Sequence, residues 1–515
     1  MPPATYTLSI DENDNASFTD AGENRASDVL QLEWRLGMTQ PYDTVAAPIT
    51  ARITLRNASR AYSPEYTADD LKPGKPIRIQ SNDGLTTRTH FTGFIDHIEP
   101  MTGNQGERLA VIHAIGAEAV LGQQRIRLPP QVNITADTVI AAVLDATLLR
   151  YSPLAGYWLL DTAGHAELDS NTRLAGSVAR TLESGRSTFA YAADTWDDGL
   201  TALDAIRQMT DSERGRFFTD RFGQLVFYNR HHTLLTSTAV ASFSDNMDGL
   251  DYSYGADIAN QVEVTLLPRS SGLPNTLLWV LASPQLILPG ESGVRRLVVP
   301  YRDPTTGKRI GASSLIPPVP AVDYQSNTLP DGSGVNQISA LNIVVVEIGA
   351  SAATLELRNT GSLPIYLLAG AQLRGTPLYT GDPALVIRAD YASANRYGLR
   401  RFSLNTPSLT SIEDADQLAR YELTRRKDPR GTLRSIDLNG TLHLAQILSR
   451  TLFDRITIHD TQTNHTGDYF IVAEEHKVDL GGARHRARWV LEPAAANTFW
   501  TLDASTLDQT TILAY

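Results

Sequence analysis

Two stretches near opposite ends of this 515-residue chain read alike, and that likeness limits its architecture more than any single motif. In the first, Ile77-Arg78-Ile79 leads through a polar loop to Thr92-Gly93-Phe94-Ile95, a turn, and Leu109-Ala110-Val111-Ile112-His113. In the second, Ile456-Thr457-Ile458 leads through a polar loop to Thr466-Gly467-Asp468-Tyr469-Phe470-Ile471, a turn, and Arg488-Trp489-Val490-Leu491. The elements come in the same order, with loops that differ by a few residues. β-Meanders share such patterns by chance as well as by duplication. Read as a duplication, the chain carries two related barrels separated by other material. Three such chains would close a ring of quasi-sixfold symmetry.

The rest of the chain falls into segments of different texture. Arg52–Arg56, Pro76–Gln80, His90–Glu99 and Leu109–Ile115 read as strands, set apart by Lys72-Pro73-Gly74, Asn82-Asp83-Gly84 and Gly103-Asn104. They place a β-barrel over 1–128. An α+β segment follows over 129–268. Its first helix is expected from a Thr135 cap to Leu148, with Val139, Ile140, Val143 and Leu144 on one face. A second is expected from Trp196 to Thr210, with Asp197 and Asp198 in its first turn. Arg216–Thr219 and Gln224–Tyr228 then flank Asp220-Arg221-Phe222-Gly223 as a hairpin. Over 269–378, Pro and Gly punctuate short apolar runs without helical period, the mark of an inserted β-sandwich. Connecting strands and a helix fill 379–445. That helix, Ser411 to Lys427, has capping-box-like spacing of Ser411 and Asp414 and a stripe of Ile412, Ala415, Leu418, Ala419 and Leu423. The second barrel region spans 446–495, and 496–515 forms a tail that matches no pattern.

Composition narrows the function classes. The 42 % hydrophobic and 20 % charged residues are those of a globular protein, so wholesale disorder is not expected. No apolar run reaches the roughly 20 residues of a membrane helix, and no secretory leader is visible, so neither membrane anchoring nor export is expected. A net charge of −12 disfavours a grip on phosphate backbones, and with it sequence-specific nucleic-acid binding. It leaves open a conduit whose wall repels the polymer. The absence of cysteine removes thiolate nucleophiles, disulfides and cysteine-ligated zinc or iron–sulfur centres.

Catalytic motifs are missing. There is no phosphate loop, dinucleotide fingerprint, Gly-x-Ser-x-Gly elbow or His-Glu-x-x-His. Asp11–Asn15 begins like a calcium loop, but Ala16 and Gly22 stand where Gly and Glu are required. His231-His232, placed on a strand, would point to opposite faces and could not share an ion. His459, His465, His476 and His485 lack ligand spacing and an evident carboxylate orienter. Glu474-Glu475 and Asp197-Asp198 could in principle serve glycoside hydrolysis, but adjacent acids more often mark a solvated face or a helix start. The expectation is no catalytic residue, no metal and no cofactor. The basic residues of the last third fit subunit contacts better than nucleic acid, because no aromatics interleave them. Arg425, Arg426, Lys427, Arg430, Arg484 and Arg486 are accordingly expected at an interface.

Several phrases in order resemble the tail hub proteins of long-tailed bacteriophages. They are Arg52–Asn57 with Arg60–Glu65, Leu71–Ile79 with Phe91–Asp96, the helix–hairpin Ala202–Phe227, Asp257–Val264, and Gly467–Val472 ending in Trp489–Pro493. The resemblance runs to about residue 495. It implies a mainly β, multidomain fold with two tube-like β-barrels, a small α+β domain and an inserted β-sandwich. It further implies a non-enzymatic homotrimeric baseplate hub or tail tip at the distal end of the virion tail, assembled in the host cytoplasm. Implied partners are a distal tail or tail tube protein hexamer, the tape-measure protein, and tail fibre or tip proteins. Such hubs take part in host cell entry by opening for DNA ejection. Some members carry a hydrolase or spike; the end at Tyr515 leads us to expect neither. Alternatives are a glycan-active or glycan-binding tail protein, the hub of a contractile injection device, and a hexameric distal tail protein with a carbohydrate-binding module.

Overall fold

The computed structural model describes residues 4–13, 17–20, 22–66, 71–102, 106–126, 128–147, 180–196, 200–290, 294–494, 498–499 and 511–512. The fold is mainly β and multidomain, with several sheets. Twelve strands form one large sheet and are numbered here in chain order. The first six are β1 (Thr5–Ile10), β2 (Val29–Gly37), β3 (Thr50–Arg56), β4 (Pro76–Asn82), β5 (Thr87–Thr102) and β6 (Arg108–Ile115). The second six are β7 (Ala241–Ser244), β8 (Gly249–Tyr254), β9 (Gly431–Asn439), β10 (Arg455–Asp460), β11 (His465–Asp479) and β12 (Arg484–Pro493).

Pairing runs β1-β4-β5-β6-β3-β2 in the first set and β7-β10-β11-β12-β9-β8 in the second. The two orders agree strand for strand, so the echo covers six strands rather than the three visible in the sequence. Even the irregularities match. The fifth strand of each set is long, 16 and 15 residues, and bulges near its middle, at Ile95/His97 in one and Ile471/Ala473 in the other. One pairing differs: β1 runs antiparallel to β4, β7 parallel to β10. Alternating apolar side chains give each set its own core. Leu8, Leu32, Ile53, Ile77, Phe91 and Ile112 are buried in the first. Phe243, Leu433, Ile456, Ile471, Trp489 and Leu491 are buried in the second.

The sets join at a seam. β2 carries β3 on one edge and the C-terminal half of β11 on the other, antiparallel, from Gln31↔Asp479 to Gly37↔Ala473. At Gly37 the backbones approach so closely that an added Cβ would lie 2.3 Å from the Val472 carbonyl oxygen. Gly37 also has φ +93°, a conformation glycine adopts at little cost.

Between and within the sets lie the other elements. The helix after Thr135 spans Ala136–Asp145 and buries Val139, Ile140, Val143 and Leu144, ending short of Leu148. The next helix starts at Ala202, not Trp196. Thr201 is its cap, its hydroxyl accepting the Asp204 N–H at 3.1 Å, and Asp204 supplies the acid of the first turn. Asp197 and Asp198 lie outside the described residues, as does the Gly103-Asn104 turn. The hairpin pairs Arg216–Thr219 with Leu225–Tyr228. The helix Ile412–Arg426 is capped by Ser411 on the Asp414 N–H at 3.2 Å and buries Ala415, Leu418 and Ala419. Ile412 is 62 % exposed, because the first turn projects it beyond the packed stripe. These helices share one core with the three-stranded sheet of Gln261–Leu266, Ala384–Ala389 and Arg401–Thr406.

The chain makes two nested excursions. It leaves the large sheet after Tyr254 and returns at Gly431, its direct partner in the β8–β9 ladder. Within that loop it leaves the three-stranded sheet after Leu266 and returns at Ala384, again its partner. The inner excursion holds three small sheets around a separate core of Leu278, Val299, Tyr301, Leu355, Leu357 and Leu373.

Candidate assembly surface

The solvent face of the large sheet forms a concavity of about 870 Å³ that crosses the seam. Side chains of both signs line it in two rows. In one, Arg52 stands opposite both His113 and Glu33, Glu33 opposite Lys477, and Lys477 opposite Arg486. In the other, Arg35 faces Glu475, which faces Arg488, which faces Asp437. Lys477 donates to Glu33 at 2.6 Å and Arg35 to Glu475 at 3.1 Å. Exposed pairs of this kind contribute little, about 0–1 kcal/mol each. Their effect is to make a wettable wall without the continuous cationic track a phosphate backbone requires.

Behind the wall, buried polar groups lock the seam. The guanidinium of Arg221, from the hairpin turn, donates to Glu474 at 2.8 and 2.6 Å and to the Leu448 carbonyl at 3.2 Å. Burial would push the Glu474 carboxyl up, but Arg221 and His476 outweigh it and hold the group well below the usual carboxylate range. Trp34 stacks on His476 with centroids 4.7 Å apart. Tyr6 Oη lies 2.6 Å from His485 Nδ1, His485 Nε2 lies 2.9 Å from His476 Nδ1, and His476 Nε2 lies 3.5 Å from Glu474. Burial pushes both imidazoles down, and one set of tautomers passes a donor along this row from Tyr6 through His485 to His476. A second lock ties the first set to the hairpin. Glu118 is fully buried, accepts the Ile49 N–H and the Thr219 hydroxyl (2.6 Å), and is pushed up to about 7 by that burial.

No protein-family model matches this chain, and no curated protein does. Among solved structures it is similar to a tail protein from Neisseria meningitidis, at 9% identity and TM-score 0.48, over 95% of this chain and 96% of that one. It is also similar to the 43 kDa tail protein of prophage MuSo2 from Shewanella oneidensis, at 10% identity and TM-score 0.47, over 95% and 99% of the two chains. A third is a prophage tail protein from Listeria monocytogenes, at 7% identity and TM-score 0.42, over 96% and 95%. All three are tail proteins.

The residues singled out in the sequence fall in different places. Arg425 reaches Glu492 (3.4 Å) and the Pro493 carbonyl (3.2 Å), and Arg216 meets the same carboxylate at 2.9 Å. Arg426 is buried against Glu422 at 2.8 Å, and both arginines lie over the Tyr42 ring. Burial would push Glu422 up, but Arg214 and Arg426 hold it down to about 2. Arg430 is 3.4 Å from the Tyr42 hydroxyl, and Lys427 pairs with Asp390 at 3.1 Å. Arg484 and Arg486 are exposed on β12, and Arg486 lines the concavity.

His231-His232 lies on a short helix, Arg230–Leu235, not a strand, with His232 Nδ1 2.6 Å from Glu183. Glu474-Glu475 is not a solvated pair: Glu474 is buried with Arg221, while Glu475 faces the wall. The Asp11 loop includes residues outside those described. Sequence reasoning missed His97, Glu99 and His113, which the structure brings together on β5 and β6. The signal was His-x-Glu in a strand, which puts both side chains on one face.

Proposed function

We propose that this protein is a non-enzymatic structural tail hub, which as a homotrimer with quasi-sixfold symmetry caps or continues the tail tube, anchors tip or fibre proteins, and opens for DNA passage. Its partners are a distal tail or tube hexamer, the tape-measure protein and fibre or tip proteins. Its place is the distal end of the virion tail, after assembly in the host cytoplasm. Arg484 and Arg486 are the exposed members of its proposed interface set; Arg425 serves that set by fixing the helix to β12, and Arg426 and Arg430 by packing against Tyr42.

One observation carries the reading. The six-strand set occurs twice, and the seam that joins the copies has a counterpart left open. β2 pairs with the far half of β11. The equivalents of these strands are β8, whose outer edge has no ladder partner among the described residues, and the far half of β5, paired only with β6 beyond residue 96. Unpaired edges of this kind are templates for another strand. Docking β8 of one copy on β5 of the next repeats the seam and, after three copies, closes a ring in which both of these open edges are paired. The polar wall would then line the lumen, where mixed charge lets a polyanion slide rather than bind.

The matching bulges fix the register of that joint. Ala473 corresponds to His97, Lys477 to Met101 and Glu33 to Asp251, so the observed Glu33↔Lys477 pair predicts Asp251 of one copy opposite Met101 of the next. The chain has no cysteine, which makes the test clean. Asp251→Cys with Met101→Cys should cross-link under mild oxidation into covalent dimers and trimers, and light scattering of the parent should give about 169 kDa, three times 56.3 kDa. A protein that stays at 56.3 kDa at high concentration and forms only random cross-links overturns the ring.

A further inference from the structure

In an antiparallel pair, residues directly opposite share a face, as do residues two apart along one strand. His97 stands opposite His113, and Glu99 follows His97 by two. The three side chains therefore project together from the β5–β6 ribbon, just past the bulge. Their ligand atoms lie within 4.8 Å of one another, the one such group among the described residues. His97 Nε2 is 3.6 Å from one Glu99 oxygen and His113 Nε2 is 3.4 Å from the other. The two imidazoles stack with centroids 4.2 Å apart and planes 9° from parallel, so both Nε2 atoms turn toward one carboxylate.

The fourth member of the cluster acts on a ring rather than on an ion. Asp96 Oδ2 lies 2.7 Å from His97 Nδ1. A carboxylate on Nδ1 keeps the proton there and leaves the Nε2 lone pair free, the arrangement that orients metal-ligating histidines. Two imidazoles and one carboxylate form the donor set of zinc-class ions that keep a position for water. Ligand bonds of about 2.0–2.2 Å need the three side chains to draw closer, which the exposed His97 and Glu99 can do by rotation toward the half-buried His113.

We propose that His97, Glu99 and His113 bind one divalent transition-metal ion of the zinc class, with Asp96 as the positioning residue. The ligands come from β5 and β6, so the ion pins the overhanging half of β5 to its neighbour. That stiffens the free edge assigned above to β8 of the next copy; this consequence rests on the ring reading, whereas the binding does not.

The test uses untagged full-length protein, stripped with chelator, dialysed, and titrated with Zn²⁺ by calorimetry and with Co²⁺ by visible absorption. One Zn²⁺ per chain at micromolar affinity or tighter (about 10⁻⁶ M or less) is expected, with Co²⁺ bands of a four- or five-coordinate site. His113→Ala and Glu99→Ala should each weaken binding at least about 100-fold, and Asp96→Asn about 10–100-fold. His232→Ala, remote from the site, should leave it unchanged. Far-UV circular dichroism checks that the exposed substitutions leave the fold intact. Binding only at millimolar concentration, or binding that survives His113→Ala, overturns the site. Measuring monomeric and assembled fractions separately keeps this outcome distinct from failure of the ring.

Discussion

Replacing Glu118 by Gln should make the protein more stable at high pH and leave it nearly unchanged at low pH. An ordinary glutamate ionises near 4.5, and Glu118, buried between Ile49 and Thr219, ionises near 7. A factor of ten in proton affinity corresponds to about 1.4 kcal/mol, so ionising Glu118 costs the folded state about 3 kcal/mol. The sign follows from proton counting. Between pH 4.5 and 7 the unfolded chain has released this proton and the folded chain has kept it, so stability falls as pH rises through that window. Glutamine copies the protonated acid. Its oxygen accepts the Ile49 N–H, and its amide donates to Thr219, whose hydroxyl turns from donor to acceptor. Urea unfolding of both proteins by tryptophan fluorescence, at several pH values, isolates the effect as a difference. Glu118→Gln should match the parent within about 1 kcal/mol at pH 5 and exceed it by about 3 kcal/mol at pH 8. A difference that does not change with pH would refute the reasoning.

The seam supplies two further expectations. Gly37→Ala puts a methyl group against the Val472 carbonyl in a left-handed backbone conformation, and should cost about 1–3 kcal/mol or more, read as a drop in denaturation midpoint. Glu474→Ala leaves Arg221 buried without its carboxylate and should cost about 3–5 kcal/mol, while Arg221→Met with Glu474→Leu should recover most of the loss. Because Arg221 holds Glu474 down, the stabilisation from this pair is present above pH 4.5 and is lost as pH falls below it. Thermal melts from pH 6 to 3 should therefore separate, the parent falling relative to the double variant, which has no such pair to lose.

Local patterns were legible where a strand and its partner are near in sequence. β4, β5 and β6 follow one another within residues 76–115, so one window holds the whole meander, and β10 to β12 repeat it. β8 and β9 were not read as members of the second unit. They pair directly, yet the chain between them runs from Tyr254 to Gly431, and β7 finds its partner β10 only across the same gap. The helix start at Ala202 was displaced because two acids at 197–198 resemble a first turn, while Thr201 has the actual cap geometry.

The polar groups were legible only in kind. Adjacency of Glu474 and Glu475 does not say that pleating sends one to a buried arginine and the other to solvent. Nor does spacing in sequence bring His113 to His97, since that needs the register of β5 on β6, bulge included.

The nested excursions have a consequence for how such a chain can vary. An insertion whose two ends are already hydrogen-bonded to each other adds no strain to the ladder it leaves, and lengthening it costs only slowly growing loop entropy. The stretch between Leu266 and Ala384 is thus a cassette: it can be swapped for another folded piece, or cut to a short turn, while the twelve strands keep their places. A lineage built this way can change that cassette at a different rate from the sheet that carries it.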